Sequence, residues 1–85
     1  MSRVWFVTGT SKGIGLAIVR AALRNGDKVV AATRRQRRLD VPSQYCSKLL
    51  HLTLDVSDPD QAVYDKAAAA AVEQFGRIDV LVNNA

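Results

Sequence analysis

Four short and nearly continuous apolar runs divide the chain. They are Val4–Val7, Lys28–Thr33, Leu49–Leu54 and Ile78–Val82. A strand with one face in water alternates apolar and polar residues, whereas a strand buried on both faces is apolar throughout. The runs therefore predict four strands of a parallel sheet that is covered by helices on both faces.

The segment between the first two runs predicts a helix over Gly13–Asn25. The apolar residues that form one stripe along this helix are Ile14, Ile18, Ala21 and Ala22. Such a stripe is typical of a helix that packs on a sheet. Gly26 follows at the position where a helix commonly ends in a left-handed glycine.

A second helix is predicted between the third and fourth runs. Asp58 is suited to the N-cap, Pro59 fits the first turn, and Gln61 lies three residues after the cap, as in a capping box. The alanine run Ala67–Ala71 favours a helix that approaches a sheet closely. Gly76 is expected to end it.

The segment Arg35–Lys48 contains Pro42 and predicts an irregular connection with some helix. The order of elements is then β-α-β-(α)-β-α-β, which is typical of parallel strands joined by right-handed crossovers. The predicted fold class is α/β.

Composition narrows the class of protein. The chain has 85 residues, 48% hydrophobic and 24% charged, which is ordinary for one small globular domain and excludes disordered, collagen-like and coiled-coil classes. A membrane-spanning helix requires about 20 consecutive apolar residues, and no apolar run in the chain approaches that length, so no membrane partner is expected. A single cysteine, Cys46, and a short apolar start give no sign of export, which favours the cytoplasm.

The net charge of +4 is concentrated in one segment. The arginines that crowd it are Arg34, Arg35, Arg37 and Arg38. Such a cluster can bind nucleic-acid phosphates, bind the phosphate of a small ligand, or be a solvated loop. The cluster lacks neighbouring aromatic residues for base stacking and no nucleic-acid-binding motif is visible, so nucleic acid is not expected as a partner.

The first strand leads into a glycine-rich loop. Residues 8–15 read Thr-Gly-Thr-Ser-Lys-Gly-Ile-Gly, just before the first helix. Glycines allow a sharp turn and a close approach to a ligand, and a helix N-terminus offers free N–H groups to a pyrophosphate. The spacing differs from Gly-x-Gly-x-x-Gly, and the alternative is a tight turn with incidental glycines. Its place between a strand and a helix favours a nucleotide site.

Three motifs in this order resemble the short-chain dehydrogenases/reductases of the classical type. They are the glycine loop, the strand end Leu54–Asp58, and the segment Phe75–Ala85, which is similar to the family's fourth strand and its Asn-Asn-Ala-Gly motif. The resemblance extends over the whole chain. It implies a Rossmann-like parallel sheet with strand order 3-2-1-4 and flanking helices. It also implies hydride transfer between a nicotinamide cofactor and an alcohol or carbonyl substrate.

The end of the second strand bears on the choice of cofactor. NAD-binding folds place an acidic residue about 20 positions after the glycine loop, where it bonds the ribose 2′-hydroxyl. Here that position is Thr33, followed by Arg34. A guanidinium can hold a 2′-phosphate by charge-assisted bonds, and Lys12 can approach the same group. The family resemblance agrees, so we expect NADP(H), with the contribution of Arg35 left open.

The predicted cofactor-binding residues fall into four groups. They are Gly9, Ser11, Lys12, Gly13, Ile14 and Gly15 at the phosphates, Arg34 at the 2′-phosphate, Asp55 and Val56 at the adenine, and Asn84 further along the cofactor. The roles of the last three follow from the resemblance alone. Asp55 could instead cap the following turn, and Asn84 could be purely structural.

The family's catalytic Tyr-x-x-x-Lys pair is not found. Lys48 lies three residues after Tyr45, and Lys66 lies two after Tyr64, which we place on the second helix away from the cofactor edge. His51 is predicted to be a buried or edge histidine. No catalytic residue and no metal site are therefore predicted.

Residues 1–85 are expected to form a partial NADP-binding domain that ends before the catalytic region and is inactive alone. The alternative is a non-catalytic nucleotide-binding or regulatory module. The fourth strand should present an open edge through which copies of the chain could form a homo-oligomer.

Overall fold

Four parallel strands form a sheet with the order β3-β2-β1-β4. The computed structural model describes residues 2–10, 13–33, 41–54 and 61–83. The elements in chain order are β1 (Val4–Val7), α1 (Gly13–Arg24), β2 (Lys28–Thr33), a 3-10 helix (Ser43–Lys48), β3 (Leu49–Thr53), α2 (Gln61–Phe75) and β4 (Val80–Val82). The predicted α/β class and strand order are confirmed. The proposed cap, Asp58 and Pro59, lies outside the described residues.

β1 and β2 are the central strands, and the pairing of their residues with the neighbouring strands defines the register of the sheet. Val7, at the end of β1, is level with Ala31 of β2 and with Val82 of β4. β3 extends the sheet on the other side of β2 and pairs Thr33 with Thr53. Because all four strands run in the same direction, their carboxyl ends meet along one edge, where connecting loops can build a site.

Each face of the sheet has its own apolar core. The core on the α1 face consists of Val7, Val19, Ala22, Leu23, Val29 and Ala31. The core on the α2 face consists of Phe6, Val30, Ala32, Leu54 and Ala71. Successive strand residues point to opposite faces, so a sheet with a core on each side needs apolar residues at nearly every position. This explains the continuous runs in the sequence.

The predicted stripe of α1 was wrong in its rotation. The structure buries Gly15, Val19, Ala22 and Leu23, whereas Ile14 is 73% exposed and Ala21 is exposed. Of the predicted stripe, Ala22 is buried and Ile18 is half-buried. Val19 and Leu23 are four residues apart and bury more apolar surface against the sheet than Ala21 would, which decides the rotation.

A buried carboxylate anchors the start of β1. Asp27 is 3% exposed, and it accepts hydrogen bonds from the Arg3 backbone N–H at 3.0 Å and from the Trp5 indole N–H at 2.9 Å. The Asn25 side chain donates a third at 3.3 Å. The Arg3 bond first, and then the Trp5 bond, hold the pKa of the Asp27 carboxyl below its usual value, although burial opposes them.

A second carboxylate connects β4 to the same end of β1. Asp79 accepts the Val4 backbone N–H at 2.8 Å, and its own N–H donates to the Val4 carbonyl oxygen at 2.8 Å. Arg77 Nε lies 2.9 Å from the same carboxylate. The amino ends of β1, β2 and β4 are thus fixed by side chains on the edge opposite the glycine loop.

Substituting Asp27 by Asn should destabilise the protein by about 1–3 kcal/mol, because an amide nitrogen cannot accept from the donors that surround it. A lowered folded-state pKa stabilises the protein above the unfolded value of about 4, and this contribution is lost as the pH falls through the folded value. The free energy of unfolding, measured in urea, should differ less between pH 7 and pH 3.5 in Asp27→Asn than in the wild type. Glu73→Gln, the same change at an exposed position, is the control. Equal stability of the two variants would contradict the anchoring role.

Candidate functional site

The glycine loop crosses the carboxyl edge of the sheet between β1 and α1. Gly9 and Gly13 have φ angles of 63° and 66°, in the left-handed region that favours glycine. A Cβ built on Gly13 would meet nothing within 4 Å, so this glycine is required by its backbone conformation and not by lack of space. Gly9 lies two residues after the end of β1, and Gly13 is the first residue of α1.

The first residue of the loop is attached to β4. The backbone N–H of Thr8 donates to the Val82 carbonyl oxygen at 3.1 Å. Thr8 Oγ1 lies 3.4 Å from both that oxygen and Asn83 Oδ1. Thr8 is buried, so these contacts replace solvent as its hydrogen-bond partners. They bring the segment after β4 beside the loop.

The third residue of the loop is attached to β2. Thr10 is fully buried, and the Ala32 carbonyl oxygen accepts both its hydroxyl at 3.0 Å and its backbone N–H at 3.3 Å. The sequence did not reveal this role. The sequence feature that could have indicated it is a small hydroxyl residue between Gly9 and Gly13, and such residues are common in loops.

The N-terminus of α1 opens on the same edge. Its first turn contains no acidic residue, so the partial positive charge of the helix end is not neutralised there. Gly13 and Ile14 are exposed, and Gly15 is buried. Free backbone N–H groups and a positive helix end are suited to a phosphate group.

The end of β2 is held by β3. Thr33 is 1% exposed, and its Oγ1 lies 2.8 Å from His51 Nε2. The Leu54 N–H donates to the Thr33 carbonyl oxygen at 2.7 Å. His51 is half-buried on β3, the outer strand, as predicted for an edge histidine.

The structure brings together four predicted site residues. Gly9, Gly13, Ile14 and Gly15 lie in the loop and the first turn of α1 at the carboxyl edge. The other predicted site residues, Ser11, Lys12, Arg34, Asp55, Val56 and Asn84, lie outside the described residues. Their roles stay predictions.

Tyr64 lies closer to this edge than expected. Together with Thr8, Leu54 and Asn83 it lines a cavity of about 490 Å³ on the α2 face. These three residues follow β1, β3 and β4, so the cavity reaches the carboxyl ends of the strands. The prediction that Tyr64 lies away from this edge was wrong, because the first turns of α2 pack beside the strand ends.

The described ranges contain no group of three or more His, Cys, Asp or Glu residues that could hold a metal ion. Within the same ranges, neither helix combines the length and the apolar character that crossing a membrane requires.

A strand, a glycine turn and a helix N-terminus at a sheet edge define a Rossmann-like nucleotide-binding arrangement. The family of the short chain dehydrogenases matches residues 3–85. The chain belongs to this family, as its motifs predicted. Members bind nicotinamide cofactors.

Individual relatives agree with the family. The chain is 44% identical over its full length to an oxidoreductase, BOA17, of Botryotinia fuckeliana, and covers 31% of it. It superimposes on a short-chain dehydrogenase from Streptomyces avermitilis with a TM-score of 0.87 and 41% identity, covering 99% of this chain and 31% of that one. A solved NADH-dependent reductase complexed with NAD has a TM-score of 0.79 and 26% identity, covering 99% and 36%. The chain thus spans about a third of the length of these relatives.

Replacing Thr10 by Val should loosen the glycine loop, because the isosteric side chain loses the hydroxyl that bonds the Ala32 carbonyl oxygen. We expect NADPH and NADH to bind about two- to tenfold more weakly, and to a similar extent, since the pyrophosphate is common to both. Fluorescence titration of each cofactor measures this. Thr53→Val makes the same chemical change at an exposed position of β3 and should leave both affinities unchanged. Unchanged binding in Thr10→Val would show that the bond does not shape the loop.

Proposed function

We propose that the chain is the cofactor-binding part of an NADP(H)-dependent oxidoreductase that acts on an alcohol or carbonyl. The observation that supports this best is the geometry of the glycine loop. Gly9 and Gly13 turn the backbone at the carboxyl edge, and Thr10 connects the loop to β2. The start of α1, where Gly13 and Ile14 are exposed, then offers its N–H groups to a pyrophosphate, and its first turn has no acidic side chain to repel it.

The preference for NADP(H) rests on the end of β2. Thr33 is neutral and buried at the position where NAD-binding folds place a carboxylate for the ribose 2′-hydroxyl. Arg34 follows it directly in the sequence. A guanidinium binds two phosphate oxygens at once, and Lys12 in the loop adds a second positive charge. A carboxylate at the same place would repel the 2′-phosphate.

The remaining predicted residues complete the proposed site. The phosphates are assigned to Gly9, Ser11, Lys12, Gly13, Ile14 and Gly15, the 2′-phosphate to Arg34, the adenine to Asp55 and Val56, and a position further along the cofactor to Asn84. When bound, the cofactor supplies or accepts a hydride at its nicotinamide ring. The residues of this chain bind and orient it, and residues 1–85 are proposed as its partial domain, in the cytoplasm.

Arg34→Ala should weaken NADPH binding about ten- to a hundredfold and leave NADH nearly unchanged, because one charge-assisted contact to the 2′-phosphate is lost. Thr33→Asp should shift the preference further, since it repels the phosphate and accepts from the 2′-hydroxyl. Both effects should shrink as salt rises. The measurement is a titration of both cofactors against the full-length protein and each variant.

The matched control is Arg24→Ala, which removes the same charge from the exposed last turn of α1, at the end of the helix opposite the glycine loop. It should change neither affinity. A wild-type preference for NADH, or an equal loss of both cofactors in Arg34→Ala, would refute the assignment of Arg34.

Residues 1–85 alone should show no turnover of alcohols or carbonyls, because neither Tyr45 nor Tyr64 has a lysine four residues later to promote proton transfer. Consumption of NADPH or NADH, followed by absorbance against a heat-treated sample, checks this. Protein-dependent consumption above that control would contradict it. Activity of the full-length protein with a downstream Tyr-x-x-x-Lys would then favour the enzyme over a non-catalytic module.

A further inference from the structure

A hydrogen bond between two neighbouring strands fixes the last side chain of β2. Thr33 Oγ1 and His51 Nε2 are 2.8 Å apart. In the register of the sheet His51 pairs with Ala31, and Thr33 pairs with Thr53, so the bond runs diagonally from β3 toward the carboxyl end of β2. It joins a half-buried residue of the outer strand to a residue that is 1% exposed.

Other hydrogen bonds hold the end of β2 as well. The Thr33 carbonyl oxygen accepts the Leu54 N–H at 2.7 Å, and the carbonyl oxygen of the preceding Ala32 accepts from Thr10. Threonine is stiff at χ1, so a partner at Oγ1 selects one orientation of the side chain. β3 and the glycine loop therefore hold this end of the strand from two sides.

We propose that His51 is a positioning residue for the 2′-phosphate end of the cofactor site. Arg34 follows Thr33 directly in the sequence, so the backbone and side chain of Thr33 determine the point from which the chain continues to it. His51 acts through Thr33 and does not touch the cofactor. Its loss affects the 2′-phosphate contact more than the pyrophosphate, because the glycine loop is bonded to Ala32 and Val82 and the His51 bond is to Thr33. This inference rests on the proposed function.

The test compares four variants of the full-length protein: His51→Leu, His51→Gln, Thr33→Val and the double variant Thr33→Val/His51→Leu. NADPH and NADH dissociation constants and the melting temperature are measured for each. His51→Leu should weaken NADPH about two- to tenfold and NADH less than twofold. His51→Gln should restore most of the loss, because its amide can reach the hydroxyl.

The double variant separates positioning from a general effect on the fold. Thr33→Val should give the same NADPH-selective loss, and adding His51→Leu to it should change the ratio of the two constants no further. If His51→Leu does not fold, Thr33→Val and His51→Gln still test the proposal. It then requires that Thr33→Val weakens NADPH more than NADH and that His51→Gln binds both cofactors nearly as the wild type does. Thr53→Val, on β3 and exposed, should leave the ratio unchanged.

Three results would overturn the proposal: equal weakening of both cofactors, no rescue by His51→Gln, or an effect of His51→Leu that persists in Thr33→Val. Arg34→Ala, measured in parallel, separates this failure from that of the proposed function. A selective Arg34→Ala with a non-selective His51→Leu overturns only the role of His51. A non-selective Arg34→Ala overturns the proposed preference for NADP(H).

Discussion

The hydrogen bonds from the glycine loop to two different strands are the interactions on which the candidate site depends. Thr8 bonds the end of β4, and Thr10 bonds the end of β2. β1 lies between these strands, so the loop that leaves it is fixed on both sides. A glycine-rich loop has many accessible conformations, and holding it in one lowers the entropy lost when a ligand binds. The buried hydroxyls of Thr8 and Thr10 thus hold the loop backbone in one conformation before a phosphate binds.

The amino and carboxyl ends of the strands, at opposite edges of the sheet, differ in the kind of polar contacts they make. At the amino edge, Asp27 accepts the backbone N–H of Arg3, just before β1, and Asp79 accepts that of Val4, the first residue of β1. These carboxylates stabilise a strand of only four residues. Among the described residues at the carboxyl edge, polar side-chain contacts come from Thr8, Thr10, Thr33 and His51. A negative charge beside the glycine loop would repel a phosphate, so the position of Asp27 and Asp79 at the opposite edge is compatible with the proposed ligand.

Much of the fold could be predicted because burial on both faces leaves a strong mark on the sequence. The continuous runs led to the correct strands, and their order followed from the family resemblance. The rotation of α1 was predicted wrongly, because the stripe with Ile14 and the one with Val19 are adjacent on the helix and share Ala22, so residue spacing alone does not separate them. The partners of Thr10 and Thr33 are 22 and 18 residues away in sequence. Such contacts depend on strand register, which local patterns do not report. The assignments of Lys12, Arg34, Asp55 and Asn84 stay predictions.

Cofactor choice in this arrangement is a property of a few side chains and not of the sheet. The NADH-dependent reductase complexed with NAD shares the four-stranded framework, although NAD differs from the cofactor proposed for this chain. The surroundings of Thr33 at the end of β2 are compatible with either a neutral or an acidic side chain. Thr33 is buried, but its side chain faces His51, whose ring nitrogen can either accept a hydrogen bond from a hydroxyl or donate one to a carboxylate, depending on the tautomer. A carboxylate at this position would therefore gain a partner and avoid the high cost of an unpaired buried charge. The same strand pair can support a neutral or an acidic residue, and in the proposed site the charge that follows it selects between a 2′-phosphate and a 2′-hydroxyl.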